Sequence, residues 1–262
     1  MRVIGIVLVR NEDLFIEWSI RNILEFCDEI LIADHQSTDG TSKILQRLKA
    51  EFPEKLRYHS IKHPRESHQL IRHYAGSQSW IFGVDGDEIY DPAGLKKFRE
   101  QLVAGKFSDM WAIFGNVLNV KTLDQENDTA TGFLAPPCRS MTKLYNFSAI
   151  YDWSGNCLER LHGGNIAFRA GFSEAQRNDY HKATAWEESL FRCLHLCFLK
   201  RSTLDSADKP RLNIMDKYAW NVEKVVQKIA QFFNPKAPQN WKEEKYARGE
   251  SSTVDISNFV SR

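Results

Sequence analysis

Trp80-Ile81-Phe82-Gly83-Val84-Asp85-Gly86-Asp87-Glu88 is a short apolar run that stops abruptly at two aspartates with one glycine between them. The apolar part reads as a buried strand. Residues two apart on an extended segment point to the same side, so Asp85 and Asp87 can face one cation, and Gly86 lets the backbone turn without a Cβ in the way. Carboxylate oxygens suit Mg²⁺ or Mn²⁺, which bind through one or two carboxylates together with substrate phosphates. An acid pair of this kind also occurs as a solvated strand end, so its neighbours decide the reading.

Upstream, strands and helices alternate. Arg2 to Val9 is a continuous apolar run, and Leu14, Ile16, Trp18, Ile20, Ile23, Leu24 and Phe26 follow at largely helical spacing. Glu29 to Ala33 predicts a second strand, ending in the polar turn Asp34-His35-Gln36-Ser37-Thr38-Asp39-Gly40-Thr41, which is rich in N-cap residues. Ile44, Leu45, Leu48 and Phe52 mark a helix, Leu56 to Ser60 a third strand, Gln69 to Gln78 a helix and Trp80 to Val84 the fourth strand. This order predicts an α/β fold with a mostly parallel sheet and right-handed crossovers. Ligands of open α/β sheets bind beyond the carboxyl ends of the strands. Arg10-Asn11-Glu12, Asp34-His35 and Asp85-Gly86-Asp87 all stand at such ends, which predicts one shared pocket.

At 262 residues the chain has room for one large domain, or one with a small appendage. With 35 Lys+Arg against 34 Asp+Glu, composition argues against general nucleic-acid or anionic-membrane binding. The apolar start is cut short by Arg10-Asn11-Glu12-Asp13 with no small-residue cleavage site, so it reads as a strand and not a signal peptide. No stretch approaches a membrane span, which predicts a soluble, cytoplasmic protein; a peripheral place at the inner membrane face is compatible with this. Cys27, Cys138, Cys157, Cys193 and Cys197 are odd in number and scattered, as expected of reduced thiols. Cys193-Leu194-His195-Leu196-Cys197 alternates three potential ligands but lacks the fourth that structural zinc needs.

Beyond Asp109 the pattern is irregular. Met110 to Val120 is apolar, Lys121 to Thr131 loop-like, Met141 to Asp152 strand-rich, and Gly163 to Phe168 a turn into a strand. Ala183 to Cys193 predicts a helix, as does Asp216 to Phe233, and Asn234 to Arg262 reads as a polar, partly disordered tail.

The first hundred residues resemble a GT-A glycosyltransferase of the family-2 type. Val7-Leu8-Val9-Arg10-Asn11-Glu12 is similar to that family's first nucleotide-binding strand, and Glu29 to Thr41 to its strand-plus-"DDGSTDGT" segment, with His35 in place of the second aspartate. Asp85-Gly86-Asp87 lies where the family has its DxD motif. The resemblance implies a GT-A domain over about 1–205, with a nucleotide-binding half at about 1–105 and an acceptor-side half at about 106–205, then a C-terminal helix and tail over 206–262. It implies inverting transfer of a sugar from a nucleotide-diphosphate sugar, with a UDP-sugar the expected donor, to a saccharide or glycolipid hydroxyl in bacterial surface polysaccharide or glycolipid synthesis.

The same resemblance assigns roles. Asn11, Glu12 and Asp34 fall to the nucleoside, Asp85 to ribose or a metal-bound water, Asp87 to Mn²⁺ or Mg²⁺, and Arg72 to the leaving diphosphate. His195 is the candidate third metal ligand, and an imidazole is accepted more readily by Mn²⁺ than by Mg²⁺. Glu188 is the expected general base, with Glu187 next and Glu159 the rival. Trp153, Trp186 and His162 are candidate acceptor contacts, although large aromatics are also the commonest core fillers. Two alternatives stay open. A haloacid-dehalogenase-like phosphatase also uses Asp-x-Asp, but after the first strand and followed by Thr or Val. A sugar-nucleotide binding protein without turnover would share the rim and lack the base.

Overall fold

The computed structural model describes residues 1–140, 142–205 and 245–260. The expected helix at 216–233 lies outside them.

The four apolar runs form β1 (Arg2–Val9), β2 (Glu29–Asp34), β3 (Leu56–Ser60) and β4 (Ser79–Asp85), all parallel. The helices α1 (Ile16–Ile23), α2 (Thr41–Glu51) and α3 (Glu66–Arg72) make the crossovers. β1 and β4 are buried along nearly their whole length, as strands covered on both faces must be. After β5 (Glu88–Tyr90) and α4 (Pro92–Val103), the chain adds β6 (Ala112–Ile113), β7 (Asn116–Asp124), β8 (Thr129–Ala135) and β9 (Lys143–Asn146). A hairpin of β10 (Ile150–Glu159) and β11 (His162–Phe168) follows, then β12 (Arg177–Asn178), α5 (Tyr180–Ala183), β13 (Arg192–His195) and β14 (Ser251–Asp255).

The main sheet has seven strands in the order β12-β6-β9-β4-β1-β2-β3, with β9 antiparallel between β4 and β6. A second, five-stranded sheet runs β14-β8-β7-β13-β5. The mixed, mostly parallel α/β sheet expected from the sequence is what the chain forms.

Three stretches differ from their sequence reading. Residues 183–193 form the end of α5, a turn and the start of β13, because Phe191, Cys193 and Leu194 are wholly buried between neighbouring elements. The polar run at 121–131 is the β7–β8 hairpin, whose pairs Thr122↔Thr131 and Asp124↔Thr129 carry polar side chains. The polar C-terminal stretch returns to the fold: β14 pairs antiparallel with β8, and Phe259 is fully buried. Trp18 Nε1 and Asn22 Nδ2 both donate to the Phe259 carbonyl, each at 2.7 Å. Among the described residues, no helix is long and apolar enough to cross a membrane.

Candidate functional site

Parallel register builds the rim. Leu8 pairs with Asp85 and Val9 with Asp34, so the carboxyl ends of β1, β2 and β4 stop side by side. The loop after β1 packs tightly on the acid pair, since a Cβ on Gly86 would meet Glu12 Cγ at 2.9 Å. Asn11 adopts φ 55, a left-handed conformation that asparagine tolerates. Its Oδ1 accepts from the Thr38 N–H at 2.7 Å, and its own N–H donates to Ser37 Oγ at 3.0 Å, which joins the loops after β1 and β2.

Asp34 is 1% exposed and accepts from Ser37 N–H, Ser37 Oγ, Ser42 Oγ and Tyr58 Oη. With both oxygens engaged in this way, it anchors the turn after β2. His35 is buried with Nε2 3.0 Å from the Lys62 carbonyl, so Nε2 carries the proton and Nδ1 accepts from Arg10 at 3.3 Å.

Each aspartate of the Asp85-Gly86-Asp87 turn meets an arginine that the sequence did not single out. Asp85 is ion-paired with Arg160, which sits at the tip of the β10–β11 hairpin and also donates to the Val84 carbonyl. That tip is fixed from α3, where Ser67 Oγ accepts from the Arg160 N–H at 2.9 Å and the His68 ring contacts the Arg160 carbonyl at 2.7 Å. Asp87, 1% exposed, is ion-paired with Arg201, whose NH1 also lies 3.5 Å from Glu12 Oε1. Glu88 accepts from the Asp85 N–H and from Tyr90 Oη, both at 3.1 Å. Burial, reinforced by the Asp85 charge, pushes its carboxyl up to about 8, so at neutral pH it adds no third negative charge.

His195 reaches the same place because β13 pairs antiparallel with β5, placing His195 opposite Glu88. Asn119 Nδ2 donates to the Phe133 carbonyl at 3.3 Å, which turns Asn119 Oδ1 toward His195 Nδ1 at 2.9 Å. Nδ1 therefore donates to Asn119, and Nε2 faces Asp87 Oδ2 at 3.8 Å. Tyr246, also absent from the sequence reading, packs edge-on against His195 with ring centroids 5.2 Å apart.

Beside the rim, a cavity of about 320 Å³ is lined by Trp111, Tyr145, Trp153, Leu161, His162 and Arg177, among others. It lies against β4, since a Cβ on Gly83 would meet Leu161 Cδ1 at 2.7 Å. His162 Nδ1 is 3.0 Å from Glu159 Oε1, and Lys143 Nζ lies 2.9 Å from Nε2. Nε2 thus accepts from Lys143, and Nδ1 faces the Glu159 carboxylate. Burial lowers the His162 pKa, keeping the ring neutral. Burial also pushes the Glu159 carboxyl up, but Arg160 and His162 outweigh it and hold it below the usual carboxylate range.

Asn11, Glu12, Asp34, Asp85, Asp87 and His195 thus share one rim, and Trp153, His162 and Glu159 flank it. Four expected residues do not join them. Arg72 ends α3, and a crossover helix runs back along the sheet, so its last turn lies at the amino end of the strands; there Arg72 forms an exposed pair with Asp152 at 3.2 Å. Trp186 is core: it stacks on Phe259 at 6.0 Å, and its carbonyl accepts from Arg192 at 2.9 Å. Glu187 and Glu188 are exposed on the turn beside it, near the start of β13, whereas His195 ends that strand about 10 Å away at ~3.3 Å per residue. Glu159 is held between Arg160 and His162, at 3.3 Å and 3.0 Å. Arg160, Arg201 and Lys143 had no sequence signal beyond their charge, because nothing in spacing alone shows which surface cation is buried against an acid.

Among the described residues no ready-formed cluster of three or more His, Cys, Asp or Glu ligands is present, and all five cysteines are buried. The donor set still fits a divalent cation. Asp87 Oδ2 and His195 Nε2 face each other at 3.8 Å, with Asn119 fixing the imidazole from behind as metal-ligating histidines are commonly fixed.

The lipopolysaccharide core biosynthesis glycosyltransferase LpsC of Rhizobium meliloti (strain 1021) is 32% identical over 99 residues, 37% of this chain and 36% of its own. Staphylococcus aureus TarS solved with UDP is 19% identical with a TM-score of 0.38, over 57% of this chain and 48% of that one. TarS with UDP-GlcNAc gives 18% and 0.39, over 60% and 50%. The chain therefore spans about half or less of the length of these relatives. The profile of Glycosyl transferase family 2 matches residues 6–174, well over half of the 262, and the chain belongs to that family.

Proposed function

We propose that this chain transfers a sugar from a nucleotide-diphosphate sugar to a saccharide hydroxyl, with inversion and with a divalent cation. The observation that carries the reading is the rim, where strand register brings Asn11, the Asp34-anchored turn, Asp85 and Asp87 to adjacent strand ends and β13 adds His195. Asn11 and the 34–38 turn frame the nucleoside. Asp87 and His195 hold the cation, with Asp85 beside them. The bound ion supplies Lewis-acid neutralisation of the charge developing on the leaving diphosphate.

The aromatic cavity beside β4 takes the acceptor, with Trp153 and His162 in its wall and Glu159 orienting His162. Likeness to LpsC supports a lipopolysaccharide-core or related glycolipid acceptor, and likeness to TarS supports a UDP-linked donor. We place the catalytic unit at 1–205 with the strand at 251–255 added to it, as β14 completes the second sheet.

The test is thermal stabilisation of the purified protein by UDP, GDP, CDP, CMP and dTDP, each with and without Mn²⁺, since a ligand of the native state raises Tm. Metal-dependent stabilisation by one diphosphate, lost in Asp87→Ala, supports the reading. Silence toward all of them, with stabilisation by Mg²⁺ plus a phosphate mimic, replaces it with a phosphatase.

A further inference from the structure

A positive charge from the chain itself already stands at Asp87. The Arg201 guanidinium is ion-paired with the same Asp87 Oδ2 that lies 3.8 Å from His195 Nε2. Its side chain is 11% exposed, and its Nε is buried with no hydrogen-bond partner among the described residues. The backbone beneath it is fastened: the Arg201 carbonyl accepts from the Leu14 N–H at 3.2 Å, and its N–H donates to Asp205 Oδ2 at 3.1 Å. Thr203 and Ser202 tie the same strap to Asp13 and Asp39, on the loops after β1 and β2. The main chain is therefore held across the rim, and only the side chain is at liberty to exchange partners.

The guanidinium places a fixed positive charge on the Asp87 oxygen that faces His195, and that charge opposes the entry of a divalent cation there. A diphosphate offers the guanidinium a better partner, with bidentate geometry and more negative charge than one carboxylate. Building on the proposed glycosyl transfer, we propose that Arg201 holds the cation position closed in the free protein and that the donor's diphosphate opens it. Arg201 turns from Asp87 to the diphosphate, and Asp87 becomes available to the metal. Arg201 is thus a positioning residue that makes donor and cation bind with positive coupling, and the coupling is reciprocal.

The experiment is titration of Mn²⁺ into the full chain, with free Mn²⁺ read by electron paramagnetic resonance, without nucleotide and with saturating UDP, and GDP and CDP in parallel. Wild type should bind Mn²⁺ weakly alone and at least tenfold more tightly with the nucleotide. Arg201→Gln should bind Mn²⁺ alone at least tenfold more tightly than wild type, with a smaller gain from nucleotide; Arg201→Lys, which keeps the charge, should stay near wild type. Equal or weaker Mn²⁺ binding by Arg201→Gln, or an undiminished nucleotide gain, overturns the proposal. If Arg201→Gln fails to fold, the wild type decides, since Mn²⁺ affinity unchanged by a bound nucleotide sinks it. Failure of the transferase reading is a separate result, in which no diphosphate binds at any Mn²⁺ concentration while the nucleotide-free arm is still read.

Discussion

Replacing Arg160 by methionine removes the charge at the hairpin tip while keeping most of the side-chain volume. Its partners are Asp85, with a side chain 29% exposed, Glu159, with a side chain 15% exposed, and the Val84 carbonyl. Removing one partner of a buried ion pair costs about 3–5 kcal/mol, mostly because the other charge is left stranded. Asp85 retains water, and Glu159 retains His162, so the lower end applies and Arg160→Met should cost about 3 kcal/mol. For a chain of this size that corresponds to a fall in Tm of roughly 6–12 °C. Urea unfolding followed by far-UV circular dichroism measures it. If the stranded carboxylate is the cause, adding Asp85→Asn should return about 1 kcal/mol, giving a positive coupling in a double-mutant cycle. Strictly additive losses, or Arg160→Met within about 1 kcal/mol of wild type, would refute the reasoning. Arg72→Met is the control, because its exposed pair with Asp152 should leave the midpoint unmoved.

Three further outcomes are expected. Asp91 caps α4 by accepting from the Gly94 N–H at 2.9 Å and pairs with Arg192 at 2.9 Å, so Asp91→Ala should cost about 3 kcal/mol or more in urea while nucleotide binding by the folded fraction is unchanged. Glu187→Gln and Glu188→Gln, on an exposed turn, should preserve both the unfolding midpoint and sugar transfer; loss of transfer by Glu188→Gln in a discontinuous radiolabel assay would restore it as the base. His162 has a folded pKa below its unfolded value of 6.5, so the neutral ring's contribution is complete above that pH and is lost as pH falls below it. The stability gap between wild type and His162→Gln should therefore narrow from pH 7 to pH 5, and a gap that widens contradicts the assignment.

The rim was legible in the sequence because strands buried on both faces leave uninterrupted apolar runs, and the polar residues ending those runs stand together once the strands are parallel. Arg2 to Val9, Glu29 to Asp34 and Ser79 to Asp85 carry that signal. Residues 186–195 did not, since a brief apolar run fits a buried strand or a buried helix equally well until its neighbours are known. β14 was hidden for the opposite reason: as an edge strand with only Val254 buried, its composition is that of a loop. Arg160 and Arg201 were hidden because an ion pair between distant positions, 75 and 114 residues apart here, leaves no local pattern.

The contacts of Phe259 also bear on how the chain is made. Ser251–Asp255 is made long after β8, and until it covers the edge of β8, Trp18 and Asn22 lack the Phe259 carbonyl that both of them bond in the folded protein. The N-terminal parallel strands can gather early, but the second sheet gains its edge strand only when that segment arrives. A nascent or clipped chain lacking 245–260 presents an unpaired strand edge and the cleft vacated by Phe259, and that is the form most prone to aggregate and most in need of a chaperone.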